Sequence, residues 1–208
     1  MNLSRRLMLA FSLAASLGGP ALAARGVPSP DDMTLGRPKA PVSIVEYASL
    51  ACPHCAHFNA EVFPALKARY VDTGKARYTL KEMLTAPAVV AEAGFLTARC
   101  APGGPQAYFS VVDEIFRSQP RWQSGQIKPI FAEIAARHGV DAARLDACLT
   151  SEAAQAALEA RIQAAENDGV TSTPAIFVNG QPVGGPGAVP TLPEIEAAIA
   201  AAGKTRRR

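Results

Sequence analysis

The chain has 208 residues, which suits one domain or one domain with an insertion, and 49% of it is hydrophobic, ample for a core. Aromatic residues are few and alanine is abundant, so much of the chain is expected to be helical. The net charge is +3; setting aside Arg5 and Arg6, in a segment expected to be removed, leaves 19 basic against 18 acidic residues. That near-neutral balance leaves no charge argument for binding nucleic acid or lipid.

At the amino terminus, Met1 to Arg6 is positively charged and Leu7 to Leu17 is apolar but too short to span a bilayer. Ala21-Leu22-Ala23 supplies small residues at cleavage-site spacing, so residues 1–23 read as a secretory signal peptide and the mature chain as starting near Ala24. Arg5-Arg6 also resembles the twin-arginine type of signal, and general secretion and that route both stay open. Either one puts the four cysteines where disulfides persist. Residues 24–40 carry Pro28, Pro30, Gly36 and Pro38 and read as a lead-in with room for one short strand.

The β-branched, apolar run Val42–Tyr47 predicts a buried strand, and it leads directly into Cys52-Pro53-His54-Cys55. Apolar residues at helical spacing follow, so the spacing predicts a helix from Pro53 to about Tyr70, kinked at Pro64. Pro53 falls at the first helical position, where its missing N–H costs nothing. Cys52 therefore sits at a helix N-terminus, facing unpaired N–H groups and the positive end of the dipole, which lowers a thiol's pKa. Cys55 lies one turn further in, where burial keeps it protonated.

Other uses of the pair fit less well. Zinc needs two more ligands at knuckle spacing, a c-type haem needs His at position 56 where Ala56 stands, and a two-residue spacer at a helix start is a poor place for a structural staple. A metal-binding module using Cys52, Cys55 and His57 stays as an alternative of a different class. His57 and His138 otherwise read as helix-surface residues.

Ala76–Lys81 alternates as a second strand, parallel to the first by the right-handed crossover rule. From 85 to 169 no convincing strand occurs. Ala88–Arg99, Gln106–Ser118, Gln126–His138, Asp141–Leu149 and Glu152–Asn167 read as helices, broken at Pro102–Pro105, Gln119-Pro120 and Gly139. Cys100 and Cys148 fall in this stretch, and two leftover cysteines in an oxidising compartment usually pair; two buried free thiols are the alternative. The strand signal resumes at Thr173–Val178. Asn179-Gly180 then predicts a type I′ hairpin turn, Gln181–Val183 an edge strand held at the edge by Pro182, and Thr191-x-x-Glu194 the start of a last helix.

The order β-α-β, helices, β-β-α is a thioredoxin-like α/β plan with an inserted α-helical domain: 41–84 and 170–203 form the thioredoxin-like part and 85–169 the insertion. On Val45–Cys55 with its Cys-Pro-His-Cys, and on Thr173-Pro174 before Ala-Ile-Phe-Val-Asn-Gly, the chain resembles the periplasmic disulfide-bond-forming DsbA family over about Pro41 to Ala202. The resemblance implies a periplasmic thiol–disulfide oxidoreductase that needs no metal or organic cofactor. Cys52 would be the nucleophile and Cys55 the resolving thiol, with Pro53 and His54 tuning the pair. Thr173-Pro174 would be a cis peptide packed against the disulfide and pairing with an extended substrate. Glu46 would move protons as Cys55 ionises; a Glu46 at an edge position reaching solvent is the alternative, and Lys75, Arg77 or Lys81 are its candidate basic partners. Implied partners are unfolded or extended cysteine-containing exported proteins and a membrane redox protein that re-oxidises the pair, with no nucleic acid and a monomeric chain. A reductase or isomerase on the same fold is the nearest competing activity.

Overall fold

The computed structural model describes residues 25–185 and 187–205. The signal peptide expected over 1–23 and the last three arginines lie outside these described residues.

Five strands form one sheet: β1 Met33–Gly36, β2 Val42–Ala48, β3 Ala76–Glu82, β4 Ala175–Val178 and β5 Gln181–Val183, in the order β1-β3-β2-β4-β5. β2 and β3 pair in parallel, and the other three pairings are antiparallel. β2 is central because both its faces are covered. Ile44 and Ala48 join the main core with Cys55 and Phe58, while Val45 and Tyr47 pack with Met83, Ala165 and Phe177 on the other side. A strand buried on both faces reads as a nearly continuous apolar run, which is what the sequence shows. β1 and β5 are the edge strands, β5 carries Pro182, and the turn before β5 has both Asn179 (φ 47°) and Gly180 (φ 79°) in the left-handed region a type I′ turn requires.

The helix after the cysteine pair is not one kinked helix. It is α1 Pro53–Glu61, then α2 Phe63–Leu66, then a π turn over Lys67–Val71. Pro64 has no N–H to give and its ring would strike the carbonyl of Ala60, so the helix ends before it rather than bending through it. The wide turn that follows is closed by Asp72 N–H donating to Lys67 O at 2.9 Å.

Five helices stand between β3 and β4: α3 Ala88–Cys100, α4 Gly104–Ser118, α5 Ile127–Arg137, α6 Ala142–Thr150 and α7 Glu152–Asn167, with a 3₁₀ stretch over Gln119–Ser124. Asp141 caps α6 and Ser151 caps α7 through their side-chain oxygens. The last helix, α8 Leu192–Thr205, begins with Glu194 accepting from the backbone N–H and the hydroxyl of Thr191, each at 2.7 Å.

One buried carboxylate joins the helices to the sheet. Glu82, at the end of β3, takes Arg99 of α3 on one oxygen (2.6 Å) and Arg161 of α7 on the other (2.7 Å), and accepts from Tyr108 of α4 at 2.9 Å. With every acceptor used, the charge is tolerated where an isolated one would not be. A second clasp is the disulfide Cys100–Cys148, between α3 and α6 across 48 residues of sequence. Closing a loop of that length stabilises by up to about 4 kcal/mol in the chain-entropy model. Replacing both cysteines by Ser should lower the unfolding free energy by about 2–4 kcal/mol, read from the urea midpoint of the protein purified under oxidising conditions.

Candidate active site

Cys52 is the N-cap of α1, in extended conformation (φ −83°, ψ 119°), with Pro53 in the first turn. The strand-to-turn geometry is held by Ser49. Its carbonyl accepts Cys52 N–H (3.0 Å), and its buried hydroxyl oxygen is bonded by the N–H (3.0 Å) and hydroxyl (2.9 Å) of Thr85. Gln119, reaching in from the helices, donates to the carbonyls of both Leu50 (2.9 Å) and Cys52 (3.2 Å).

Both active-pair cysteines are free thiols here. Their environments pull them apart. Cys52 is lowered to about 5, first by a hydrogen bond from the Cys55 thiol, then, against the opposing effect of burial, by the Thr173 hydroxyl, which has no partner among the described residues while Cys52 is a thiol and can donate to the thiolate, and by the backbone N–H groups of Cys55 and His54. Cys55, wholly buried, is raised well above the ordinary thiol range by desolvation, by that same hydrogen bond and by the charges of Glu46 and Cys52. As a thiol, Cys52 Sγ donates to the Thr173 carbonyl at 3.4 Å, so residues 121 positions apart meet at one sulfur. Thr173-Pro174 is a cis peptide, as is Ala86-Pro87. Pro53 and His54 are exposed at the turn, and His54 acts on Cys52 through its backbone N–H.

Glu46 lies beneath the pair on the central strand, 3% exposed, which overturns the solvent-reaching alternative. Its partner is Tyr78 of β3, whose hydroxyl donates to Oε2, while Oε1 is buried without a partner among the described residues. None of the three expected cations is that partner. β2 and β3 pair with Glu46 opposite Leu80, so the even-numbered residues of β3 share the face of Glu46 and Arg77 and Lys81 project from the other. Lys81 pairs instead with Asp168 (2.9 Å), Arg77 bonds Ser43 and Pro38, and Lys75 lies over the Tyr70 ring. Burial pushes the Glu46 carboxyl up to about 7, with the Tyr78 hydrogen bond opposing and the nearby Cys52 charge adding.

Sequence reasoning missed Tyr78, Ser49, Gln119 and Asp168. Only Tyr78 left a usable signal, and it needs the β2–β3 register. Asp168, at the end of α7, accepts from Tyr47 (2.6 Å) and Lys81, and its backbone carbonyl accepts from Arg25 (2.7 Å). It thereby fixes the start of the loop that carries Thr173. A cleft of about 230 Å³ beside Pro174 is lined by Arg25, Thr171, Ser172, Ala175 and Pro182 among others. Among the described residues no group of three or more His, Cys, Asp or Glu side chains is placed to hold a metal ion.

A thioredoxin family model matches residues 28–199. The chain belongs to the thioredoxin family. A Rickettsia typhi protein named as a protein-disulfide oxidoreductase is 32% identical over 152 residues, 72% of this chain and 55% of that protein. The chain thus spans about half the length of the curated relatives it matches first. Among solved structures, Wolbachia pipientis alpha-DsbA1 superposes with a TM-score of 0.75 at 26% identity, covering 86% of this chain and 94% of that one. Chlamydia trachomatis DsbA gives 0.73 at 25%, covering 86% and 95%. Within the family, then, the chain has the DsbA type of fold, as the cysteine motif and the Thr-Pro strand imply.

The buried Glu46 carries a stability signature with a definite sign. Its folded pKa is raised, so it destabilises the folded state as pH rises from the ordinary carboxylate range through about 7. Glu46→Gln should therefore leave the reduced protein almost unchanged at pH 4. At pH 8 it should stabilise the protein by up to about 3 kcal/mol, measured by urea unfolding at the two pH values.

Proposed function

We propose that the chain is a thiol–disulfide oxidoreductase that donates its Cys52–Cys55 disulfide to cysteine-containing proteins. The observation that carries this reading is the split between the two thiols, with Cys52 lowered to about 5 and Cys55 raised. In the oxidised protein, a substrate thiolate attacks Cys52 Sγ, the less buried of the two sulfurs (7% against 0% exposed). The Cys52–Cys55 bond breaks and Cys55 leaves, taking up a proton that Glu46 is placed to supply. A second substrate thiolate then attacks its partner sulfur in the mixed disulfide and releases Cys52 as a thiolate. Two electrons pass from substrate to protein, and the substrate gains a disulfide.

The direction follows from which redox form the site stabilises. A thiolate exists only in the reduced protein. The depressed Cys52 pKa adds stability that is complete above the ordinary thiol value and lost as pH falls through about 5. At pH 7 about two units count, or about 3 kcal/mol, which makes the pair about 60 mV more oxidising than one with ordinary thiols. Cys52, Cys55, Thr173 and Pro174 form the reacting and substrate-facing group in this reading, with Pro53, His54 and Glu46 tuning it. The substrate backbone lies along Thr173 and its side chains enter the cleft beside Pro174. The place of work is the periplasm, reached through the leader at residues 1–23, with substrates that are extended, newly exported chains. A membrane redox protein re-oxidises the pair. No described helix is long and apolar enough to cross a membrane.

The test is the relative stability of the two redox forms together with the thiolate titration. The reduced protein should resist urea better than the oxidised protein at pH 7, and the thiolate absorbance should titrate near pH 5 and vanish in Cys52→Ser. An oxidised form that is the more stable, with a titration above pH 7, would instead support the reductase or isomerase.

A further inference from the structure

Tyr78 is a buried hydroxyl to which the scheme above gives no part. Its ring is 1% exposed and is gripped by two others, Phe63 of α2 at 4.6 Å between centroids and Phe109 of α4 at 5.8 Å. A ring held on two sides offers its hydroxyl in one direction, and that direction is Glu46 Oε2. The carboxylate therefore has one oxygen occupied and one, Oε1, buried and unpartnered among the described residues. Such an oxygen is an orphan at rest and an acceptor in waiting, since buried polar atoms are rarely left unmatched.

The surroundings leave the choice to Tyr78. From α1, Cys52 and Cys55 face Glu46, both as negative charges when ionised. From β3 comes the Tyr78 hydroxyl itself, with Tyr108 of α4 next beyond it. Further along the same face, Glu82 is neutralised by Arg99 and Arg161. No cation contacts Glu46 among the described residues, because Arg77 and Lys81 lie on the opposite face of β3. A fixed ammonium would hold Glu46 ionised at every working pH. A neutral phenol only biases it.

We propose that Tyr78 is the positioning residue that sets the proton affinity of Glu46 and leaves Oε1 as the atom that exchanges a proton with Cys55. This rests on the oxidoreductase reading above and adds to it a named control. In the closing direction of the cycle, the ionised Glu46 takes the proton from the Cys55 thiol. The Cys55 thiolate attacks Cys52 Sγ in a mixed disulfide, the Cys52–substrate bond breaks, and the substrate sulfur leaves as a thiolate that is protonated by solvent. In the opening direction the same proton returns from Glu46 to Cys55. The step can run only to the extent that Glu46 is ionised in the first case and protonated in the second.

The test is the decay of a mixed disulfide between Cys52 and glutathione in the full chain, followed from pH 5 to 10. In the parent protein the rate should rise with a midpoint near 7, the value to which burial brings Glu46. Tyr78→Phe keeps the ring and removes the donor, so the midpoint should move up by ~1 unit and the rate at pH 7 should fall ~5-fold. Tyr78→2,3-difluorotyrosine, a stronger donor of nearly the same shape, should move the midpoint down, and it serves if the Phe variant folds poorly. In a Glu46→Gln background, Tyr78→Phe should change nothing further. A Tyr78→Phe profile that superimposes on the parent, or an equal loss in the Glu46→Gln background, would overturn the proposal. Failure of the parent protein to form or resolve any mixed disulfide would overturn the oxidoreductase reading itself, a result distinct from both.

Discussion

Everything in this molecule answers to the burial of β2 on both of its faces. A strand with no wet side must match each of its side chains inside the protein, since a polar group sealed away from water without a partner costs several kcal/mol. On one side the matching is mostly apolar, through Ile44 and Ala48 in the main core with Cys55 and Phe58. Polar groups in this layer survive by pairing. Tyr47, on the other face, hydrogen-bonds Asp168, which in turn binds Lys81, and the Lys81 ammonium lies 5.6 Å from the Tyr47 ring. Glu46 is the exception that is only half matched, and it sits at the end of the strand nearest the cysteines. The sheet thus concentrates its unsatisfied polarity where thiol chemistry takes place.

The two thiols divide their roles because a helix has an end. Cys52 is outside the first turn, where N–H groups have no intrahelical carbonyl to bind, and those of His54 and Cys55 favour a negative sulfur although the thiol itself makes no capping bond. Cys55 is inside that turn, with no share in the unpaired N–H groups and with Glu46 for a neighbour. The same three-residue step therefore gives one sulfur a helix terminus and the other a desolvated, acid-lined wall. Gln119 and Ser49 hold the turn in this setting from the two sides, one from the helical stretch and one from the strand.

Much of this was legible in the residues. The continuous apolar run gave a buried strand, Pro53 gave the helix start, Asn179-Gly180 gave the hairpin, and Thr191 with Glu194 gave the last cap. What failed was parity. Lys75, Arg77 and Lys81 are all odd-numbered, and Glu46 pairs with an even-numbered residue, so a single register decides that none of them can serve. Composition does not encode that register. Pro64 predicts a bend, but the clash of its ring with the Ala60 carbonyl gives a break and a π turn instead. Gln119 lies in a Gln-Pro interruption and looks like any loop polar residue. Its importance depends on Leu50 being wholly buried, a fact of packing with no local sign.

The order of strands in the sheet also has a consequence for the timing of synthesis. β2 is flanked by β3 and β4, yet β4 begins at Ala175, more than a hundred residues downstream. A chain made from its amino end therefore spends most of its elongation with one long edge of its central strand open. Cys52, meanwhile, has neither Thr173 against its sulfur nor a finished sheet beneath it. The reactive sulfur is restrained only by the nascent helix until the last sixth of the polypeptide arrives. The protein's own cysteines then coexist before the geometry that distinguishes them is in place. For a chain with four cysteines and one native pairing in its helices, late closure by β4 makes early encounters between Cys52 and Cys100 a hazard of its own biogenesis.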